Sequence, residues 1–140
     1  MPLLLPDVRR PRYWYNGGFT RLLEIPPEQT AFLEEGVSAT VGVAEQGGAR
    51  YLTVNGLIVA QARRHDLWDL LTKAHLPMLL HPDPRRVVLV GLGAGVSLGA
   101  TASYDLDRLV CVELSPEVVR ACRLFDGVNA DGGYSTADLA

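Results

Sequence analysis

Three glycines and one acid form the pattern in this sequence that could support chemistry. Gly91, Gly93 and Gly95 follow the apolar run 87–90, and Glu113 lies about twenty residues beyond the first glycine, at the end of the next apolar run. Glycines after a buried strand let the backbone approach a ligand closely, and a carboxylate at the tip of the following strand can accept hydrogen bonds from both hydroxyls of a ribose. The pattern therefore indicates a nucleotide-binding strand, loop and helix.

The spacing of the glycines favours one class of nucleotide. Dinucleotide-binding loops usually carry a further glycine in the pattern GxGxxG. Here the residues 96–98 follow Gly95, and the next glycine is Gly99. We therefore expect an adenosyl-type ligand. Two alternatives stay open: an NAD-dependent oxidoreductase fragment, because Glu113 suits the ribose of NAD equally well, and a turn that serves folding alone.

The elements around this loop alternate as strand, helix, strand and helix. The strand at 87–90, which we expect to be buried on both faces, precedes the loop, and a short helix of small residues at 96–103 follows it. A second strand is predicted at 108–113. Ser115, followed by proline and glutamate, predicts the start of another helix that lasts to about residue 125. This order predicts a partial Rossmann-like nucleotide-binding domain over residues 85–125.

Short strands separated by glycine turns precede this domain. The dipeptide Asn55-Gly56 between two β-rich runs is the strongest local signal for a hairpin, because a type I′ turn needs positive φ at both central residues. Residues 37–65 are therefore predicted to form a three-stranded antiparallel meander, with strands at 38–44, 50–54 and 57–61.

A helix and a rigid linker are predicted to connect the two regions over residues 66–84. Asp66 can cap a helix that runs to about residue 80, with an apolar side that includes Trp68. Pro77 is expected to end or kink this helix. The prolines of 81–84 then form the linker.

The two ends of the chain carry neither a helical nor a strand period. Residues 1–36 combine prolines, arginines and aromatic residues and are interpreted as an N-terminal arm. Residues 126–140 are interpreted as a glycine-rich tail. Basic residues beside aromatics can bind single-stranded nucleic acid, but the net charge of -3 argues against a general nucleic-acid binder. We expect no nucleic-acid partner.

The composition, with 48% hydrophobic and 21% charged residues, is that of an ordinary globular domain. No run is long enough to span a bilayer or to act as a signal peptide, so a cytoplasmic location without a membrane partner is expected. Cys111 and Cys122 are expected to be reduced thiols. They share no metal-ligand spacing with the three histidines, so no metal is predicted.

The chain resembles the spermidine synthase (polyamine aminopropyltransferase) family over about residues 36–125. The resemblance rests on the segments 51–58, 74–91 and 112–119, whose order and spacing match. It implies an α/β fold, with a small N-terminal antiparallel β meander followed by the first half of a Rossmann-like methyltransferase fold. It also implies that the fold binds S-adenosylmethionine or its decarboxylated form and transfers an aminopropyl group to a diamine. The cofactor positions that carry over are Gly91, Gly93, Ala94, Gly95, Glu113 and Leu114.

Departures from the family pattern concern the acceptor site, the part of the site that would bind the diamine receiving the aminopropyl group. Ala94 stands where the family usually has an aspartate, and Val59 stands where it has a glutamine. A Tyr-His pair used near the substrate falls on Asp69 and Leu70. Gln61, two residues after Val59, is the candidate substrate-binding residue on the same strand face. The acceptor site is therefore expected to be altered.

The resemblance also bears on catalysis. The family's adenine-contacting and catalytic aspartates lie on later strands, and no strand is predicted after residue 125, so the catalytic residues are unknown. We expect a shortened, spermidine synthase-like transferase with reduced or no aminopropyltransferase activity. The alternative is a non-catalytic remnant that pairs with another copy or a partner chain through an exposed sheet edge.

Overall fold

The fold is that of a computed structural model, which describes residues 27–62 and 67–129. Most of the predicted arm, most of the predicted tail and the predicted cap Asp66 lie outside these ranges. The strands and helices in chain order are β1 (Thr30–Glu35), β2 (Thr40–Gln46), β3 (Ala49–Val54), β4 (Leu57–Gln61), α1 (Leu67–Leu80), β5 (Arg86–Val90), α2 (Val96–Ala102), β6 (Arg108–Val112), α3 (Pro116–Cys122) and α4 (Asp126–Asn129).

The first four strands form an antiparallel meander in the order β1-β2-β3-β4. The hairpin prediction at Asn55-Gly56 is confirmed, because φ is 51° at Asn55 and 78° at Gly56. The prediction of three strands is wrong, since β1 lies inside the segment interpreted as an arm. Its faces alternate only between half-buried and exposed, and its end is acidic, so the sequence of this edge strand carries a weak β signal.

Helix α1 runs where the connecting helix was predicted. It continues through Pro77 to Leu80, so of the two predicted effects of Pro77, an end or a kink, the end is wrong. A proline removes its own N–H bond to the carbonyl four residues earlier, while the bonds on either side can persist. Ala74 and Met78 are buried on α1, whereas Trp68 is exposed and lies off the buried side.

The second half of the described chain is a strand–helix–strand–helix unit. Strands β5 and β6 are parallel and paired residue by residue from Arg86 opposite Arg108 to Val90 opposite Val112, and α2 lies between them in the chain. After α3, a 3₁₀ turn at Arg123–Phe125 leads into α4. The segment interpreted as a tail from residue 126 thus begins with a short helix.

One expectation about β5 is wrong. Val88 and Val90 are 65% and 83% exposed, so the strand is not buried on both faces within the described ranges. The only strand paired with β5 among the described residues is β6. Continuous apolar sequence predicts a strand covered on both faces, whereas these two side chains of β5 are exposed in the described part of the chain.

One hydrophobic core joins the two regions. Val41, Val43 and Leu52 of the meander pack in the same cluster as Val118 and Phe125 of the second half. At the rim of this contact, the guanidinium of Arg120 on α3 donates to both carboxylate oxygens of Glu34 on β1, at 2.9 and 2.6 Å. The meander is therefore docked on α3, which positions it beside the loop that follows β5.

Among residues 27–62 and 67–129, no helix combines the length and the apolar character needed to span a bilayer.

Candidate nucleotide-binding site

The loop between β5 and α2 has three residues with left-handed backbone. The φ angles are 89° at Gly91, 56° at Gly93 and 79° at Gly95. A Cβ added at Gly91 or Gly93 would meet no atom within 4 Å. The loop therefore requires glycine at these two positions for their backbone conformation, which L-residues with a side chain rarely adopt.

Short backbone bonds set the shape of this loop. The amide of Gly91 donates to the carbonyl of Val112 at 2.8 Å, which extends the β5–β6 pairing by one residue. The amide of Gly95 donates to the carbonyl of Leu92 at 3.0 Å and closes a tight turn. The chain thus leaves the carboxyl end of a parallel strand and turns directly into α2, which is where ligands bind in open α/β sheets.

Glu113 joins this loop to the loop that follows β6. One carboxylate oxygen accepts the amide of Leu92 at 2.8 Å, and the other accepts the amide of Ser115 at 2.9 Å. A carboxylate offers about four lone-pair sites, so each oxygen retains acceptor capacity. The side chain is half-buried. The structure therefore brings Glu113 and the glycine loop together, as their spacing in the sequence predicts.

The other predicted cofactor positions divide into a buried and an exposed residue. Ala94 is 3% exposed and belongs to the hydrophobic core cluster. Leu114, which follows Glu113, is 85% exposed. Ala94 thus anchors the loop to the core, while Leu114 presents an apolar surface next to the carboxylate.

Asn129 is a residue of this site that sequence reasoning missed. Its side-chain amide donates to the carbonyl of Ala94 at 3.0 Å, inside the glycine loop. Asn129 lies on α4, in the segment interpreted as a tail, and is separated from Ala94 by 35 positions. No local pattern of residues indicates such a long-range contact.

A groove of about 840 Å³ runs along the outer side of β5. Gly91 and Gly93 line it at the loop, Asp83 and Arg85 line it at the start of the strand, and Met78 of α1 contributes to its wall. Glu113 does not line it, although Leu92, whose amide donates to Glu113, does. The groove follows β5, whose other edge has no strand partner among the described residues.

Gln61 lies at the end of β4, opposite Tyr51. It is half-buried and does not line the groove beside the glycine loop. Its part in binding a substrate stays a prediction.

The pKa values of Cys111 and Glu117 are shifted by their surroundings. Burial, with a smaller contribution from the charge of Glu113, raises the pKa of the Cys111 thiol, which disfavours its thiolate form. The hydroxyl of Ser115 donates to Glu117 at 2.6 Å and, with Arg120 nearby, lowers the pKa of that carboxyl. The carboxyl of Glu117 lies at the contact between α3 and Gly36. No group of histidine, cysteine and acidic residues within the described ranges could hold a metal.

Sequence comparison relates the chain to proteins named polyamine aminopropyltransferase. The chain is 32% identical over 81 residues to polyamine aminopropyltransferase 1 of Hyperthermus butylicus, covering 57% of this chain and 27% of the relative. It is 36% identical over 52 residues to the polyamine aminopropyltransferase of Lachnoclostridium phytofermentans, covering 36% of this chain and 18% of the relative. The chain thus matches less than a third of the length of these relatives. No family model matches it.

Two solved structures share its fold. A spermidine synthase in complex with the transition state analogue AdoDATO superposes with a TM-score of 0.72 at 19% identity, over 85% of this chain and 42% of that one. The spermidine synthase from Thermotoga maritima gives a TM-score of 0.72 at 20% identity, over 86% of this chain and 43% of that one. This chain is spermidine synthase-like. The predicted α/β fold, with an antiparallel meander followed by the first half of a Rossmann-like methyltransferase fold, is confirmed.

Proposed function

We propose that this spermidine synthase-like chain binds an adenosyl sulfonium nucleotide, S-adenosylmethionine or its decarboxylated form, at the loop after β5. The observation that carries the proposal is the placement of Glu113 on the glycine loop, where its carboxylate accepts the amide of Leu92 at 2.8 Å. Two loops at the carboxyl ends of adjacent parallel strands are thereby held together, in the position where an α/β sheet receives a nucleotide.

The residues present fit the nucleoside part of such a ligand. The remaining acceptor sites on the two oxygens of Glu113 match the two ribose hydroxyls. The exposed side chain of Leu114 offers apolar surface against which a purine can pack. Gly91 and Gly93 have no side chain, so the loop backbone is open to the approach of a ligand at these positions. When bound, the sulfonium supplies an activated carbon for transfer, and the chain's own part is to bind and orient the nucleoside.

We further propose that aminopropyl transfer by this chain is weak or absent. The altered acceptor positions support this, since Ala94, which stands where the family usually has an aspartate, is buried in the core, and Val59 stands where the family has a glutamine. Incubation with decarboxylated S-adenosylmethionine and putrescine, followed by chromatography of the polyamines, tests it. Turnover at the rate of a spermidine synthase assayed in parallel would contradict the proposal.

Calorimetric titration tests the binding proposal directly. Methylthioadenosine, S-adenosylmethionine, its decarboxylated form and NAD are titrated separately into the folded chain. Heat with any of the first three and none with NAD is the expected result. Heat with NAD alone would favour the oxidoreductase interpretation, and no heat with any ligand would refute nucleotide binding.

A second function, self-association, is favoured by the uncovered strand β5. Its outer edge has no strand partner among the described residues, and Val88 and Val90 are exposed on its face. Exposed edges and apolar patches promote association between chains. A second copy can pair with β5 in antiparallel register about a two-fold axis. Sedimentation velocity of the wild-type chain tests this, and a strictly monomeric species across the concentration range would exclude it.

A further inference from the structure

The glycine loop is held from two sides by side chains that come from different parts of the chain. On one side, Glu113 accepts the amide of Leu92. On the other side, the amide nitrogen of Asn129 donates to the carbonyl of Ala94 at 3.0 Å. A loop with three left-handed glycines has unusual conformational freedom when it is not held. These two hydrogen bonds supply the restraint that the loop sequence itself lacks.

The surroundings of Asn129 are those of a buried, directional contact. The residue is 3% exposed, and the same nitrogen also faces the carbonyl of Cys122 at 3.4 Å and its sulfur at 3.6 Å. The amide of Asn129 thus has one carbonyl acceptor in the glycine loop and a second, at the longer distance, at the end of α3.

We infer that Asn129 is a positioning residue of the nucleotide site: its amide holds the carbonyl of Ala94 and so fixes the glycine loop in the conformation that receives the ligand. The inference rests on the proposed nucleotide-binding function. Binding to a loop that is already fixed does not include the free-energy cost of ordering that loop. The contact between Asn129 and Ala94 therefore raises affinity through preorganisation. Asn129 itself need not touch the ligand.

Two variants of Asn129 and one control test this inference. Asn129→Leu keeps the branching of the side-chain heavy atoms and removes both donors, and Asn129→Asp keeps the shape and replaces donors with acceptors. The control is Thr53→Val in the meander. The hydroxyl of Thr53 is likewise buried and donates to a backbone carbonyl, that of Gly42, at 3.2 Å. The control thus removes a buried bond of the same kind away from the loop.

The readouts separate a positioning role from a purely structural one. Hydrogen exchange is measured by NMR on the full chain without ligand, at the amides of Leu92 and Gly95, which are both hydrogen-bonded within the loop region. The dissociation constant for methylthioadenosine is measured by calorimetry. For the Asn129 variants we expect about tenfold faster exchange at these amides than in wild type and about tenfold weaker binding. For Thr53→Val, both quantities should stay within about twofold of wild type.

Several results would overturn the inference. Unchanged exchange at Leu92 and Gly95 in the Asn129 variants would show that the loop does not depend on this contact. Equal weakening of binding in Thr53→Val would show a general effect of stability. Loss of folding in both Asn129 variants, with Thr53→Val folded, would assign Asn129 to the core alone. If wild type fails to bind methylthioadenosine, the proposed function fails, and loop exchange still decides whether Asn129 fixes the loop.

Discussion

Replacement of Gly93 by alanine tests whether the loop after β5 has the left-handed backbone on which the site depends. At Gly93 φ is 56°, and an added Cβ meets no atom within 4 Å, so crowding contributes nothing to the cost. The penalty is then that of a left-handed L-residue, about 1–2 kcal/mol. Part of this penalty is offset, because alanine reduces the conformational entropy of the unfolded chain and thereby stabilises the fold by about 0.4–1 kcal/mol. A net loss of about 1 kcal/mol in unfolding free energy is expected.

Gly127→Ala is the matched control for this prediction. A Cβ at Gly127 also meets no atom within 4 Å, but its φ is not left-handed and it lies in α4. The control should stabilise the fold by about 0.5–1 kcal/mol, as alanine does in place of glycine in a helix. The effect on the unfolded chain is common to both variants, so their difference isolates the left-handed term of about 1–2 kcal/mol.

Urea denaturation followed by circular dichroism measures both variants against wild type under identical conditions. Gly93→Asn adds a graded test, because asparagine tolerates left-handed backbone better than alanine and should recover part of the loss. Equal unfolding free energies for Gly93→Ala and Gly127→Ala would refute a left-handed residue at Gly93, and with it the loop geometry described above.

Three further predictions concern Glu117, Gly36 and the exposed face of β5. Glu117→Gln should cost more stability at neutral pH than in acid. The Ser115 hydroxyl and Arg120 lower the pKa of Glu117 in the folded state, so the ionised carboxylate stabilises the fold at pH values above the ordinary pKa of 4.5. This stabilisation is lost as the pH falls through the lowered pKa. Urea midpoints of both proteins at several pH values measure this, and a difference independent of pH would contradict it. Gly36→Ala should destabilise by about 0.5–1.5 kcal/mol, the value of one hydrogen bond, since its Cβ would lie 2.4 Å from Cδ of Glu117 and the flexible carboxyl must shift away from Ser115; an unchanged melting temperature would show that the carboxyl moves aside without losing this bond. Val90→Lys should shift any dimer of wild type toward monomer in sedimentation velocity, because a charge on the open face of β5 opposes pairing, whereas an unaltered dimer would place the interface elsewhere.

Local signals in the sequence predicted the elements that depend on neighbouring residues. The hairpin at Asn55-Gly56 follows from the φ demands of a two-residue turn. The contact between Glu113 and the glycine loop follows from strand lengths, because parallel strands bring their carboxyl ends to one edge of the sheet.

Elements that depend on distant partners were not predicted. Strand β1 is an edge strand that pairs with β2, and its Glu34 accepts a hydrogen bond from Arg120 of α3. The contact from Asn129 to Ala94 spans 35 positions and has no periodic signature. The exposed face of Val88 and Val90 was missed because a continuous apolar run is typical of a strand that is buried on both faces, whereas burial depends on elements distant in the sequence.

Calorimetric titration of methylthioadenosine into wild type and into Glu113→Gln tests the central claim most directly. The substitution keeps the shape of the side chain and removes the charge that holds Leu92 and that, in the proposed function, accepts the ribose hydroxyls. Loss of charge-assisted bonds of about 1.5–3 kcal/mol corresponds to binding weaker by about tenfold to a hundredfold. Single-site binding by wild type with that loss in the variant is the predicted result. Equal affinity of the two folded proteins, or no heat from wild type, would contradict a nucleotide site at the glycine loop and Glu113.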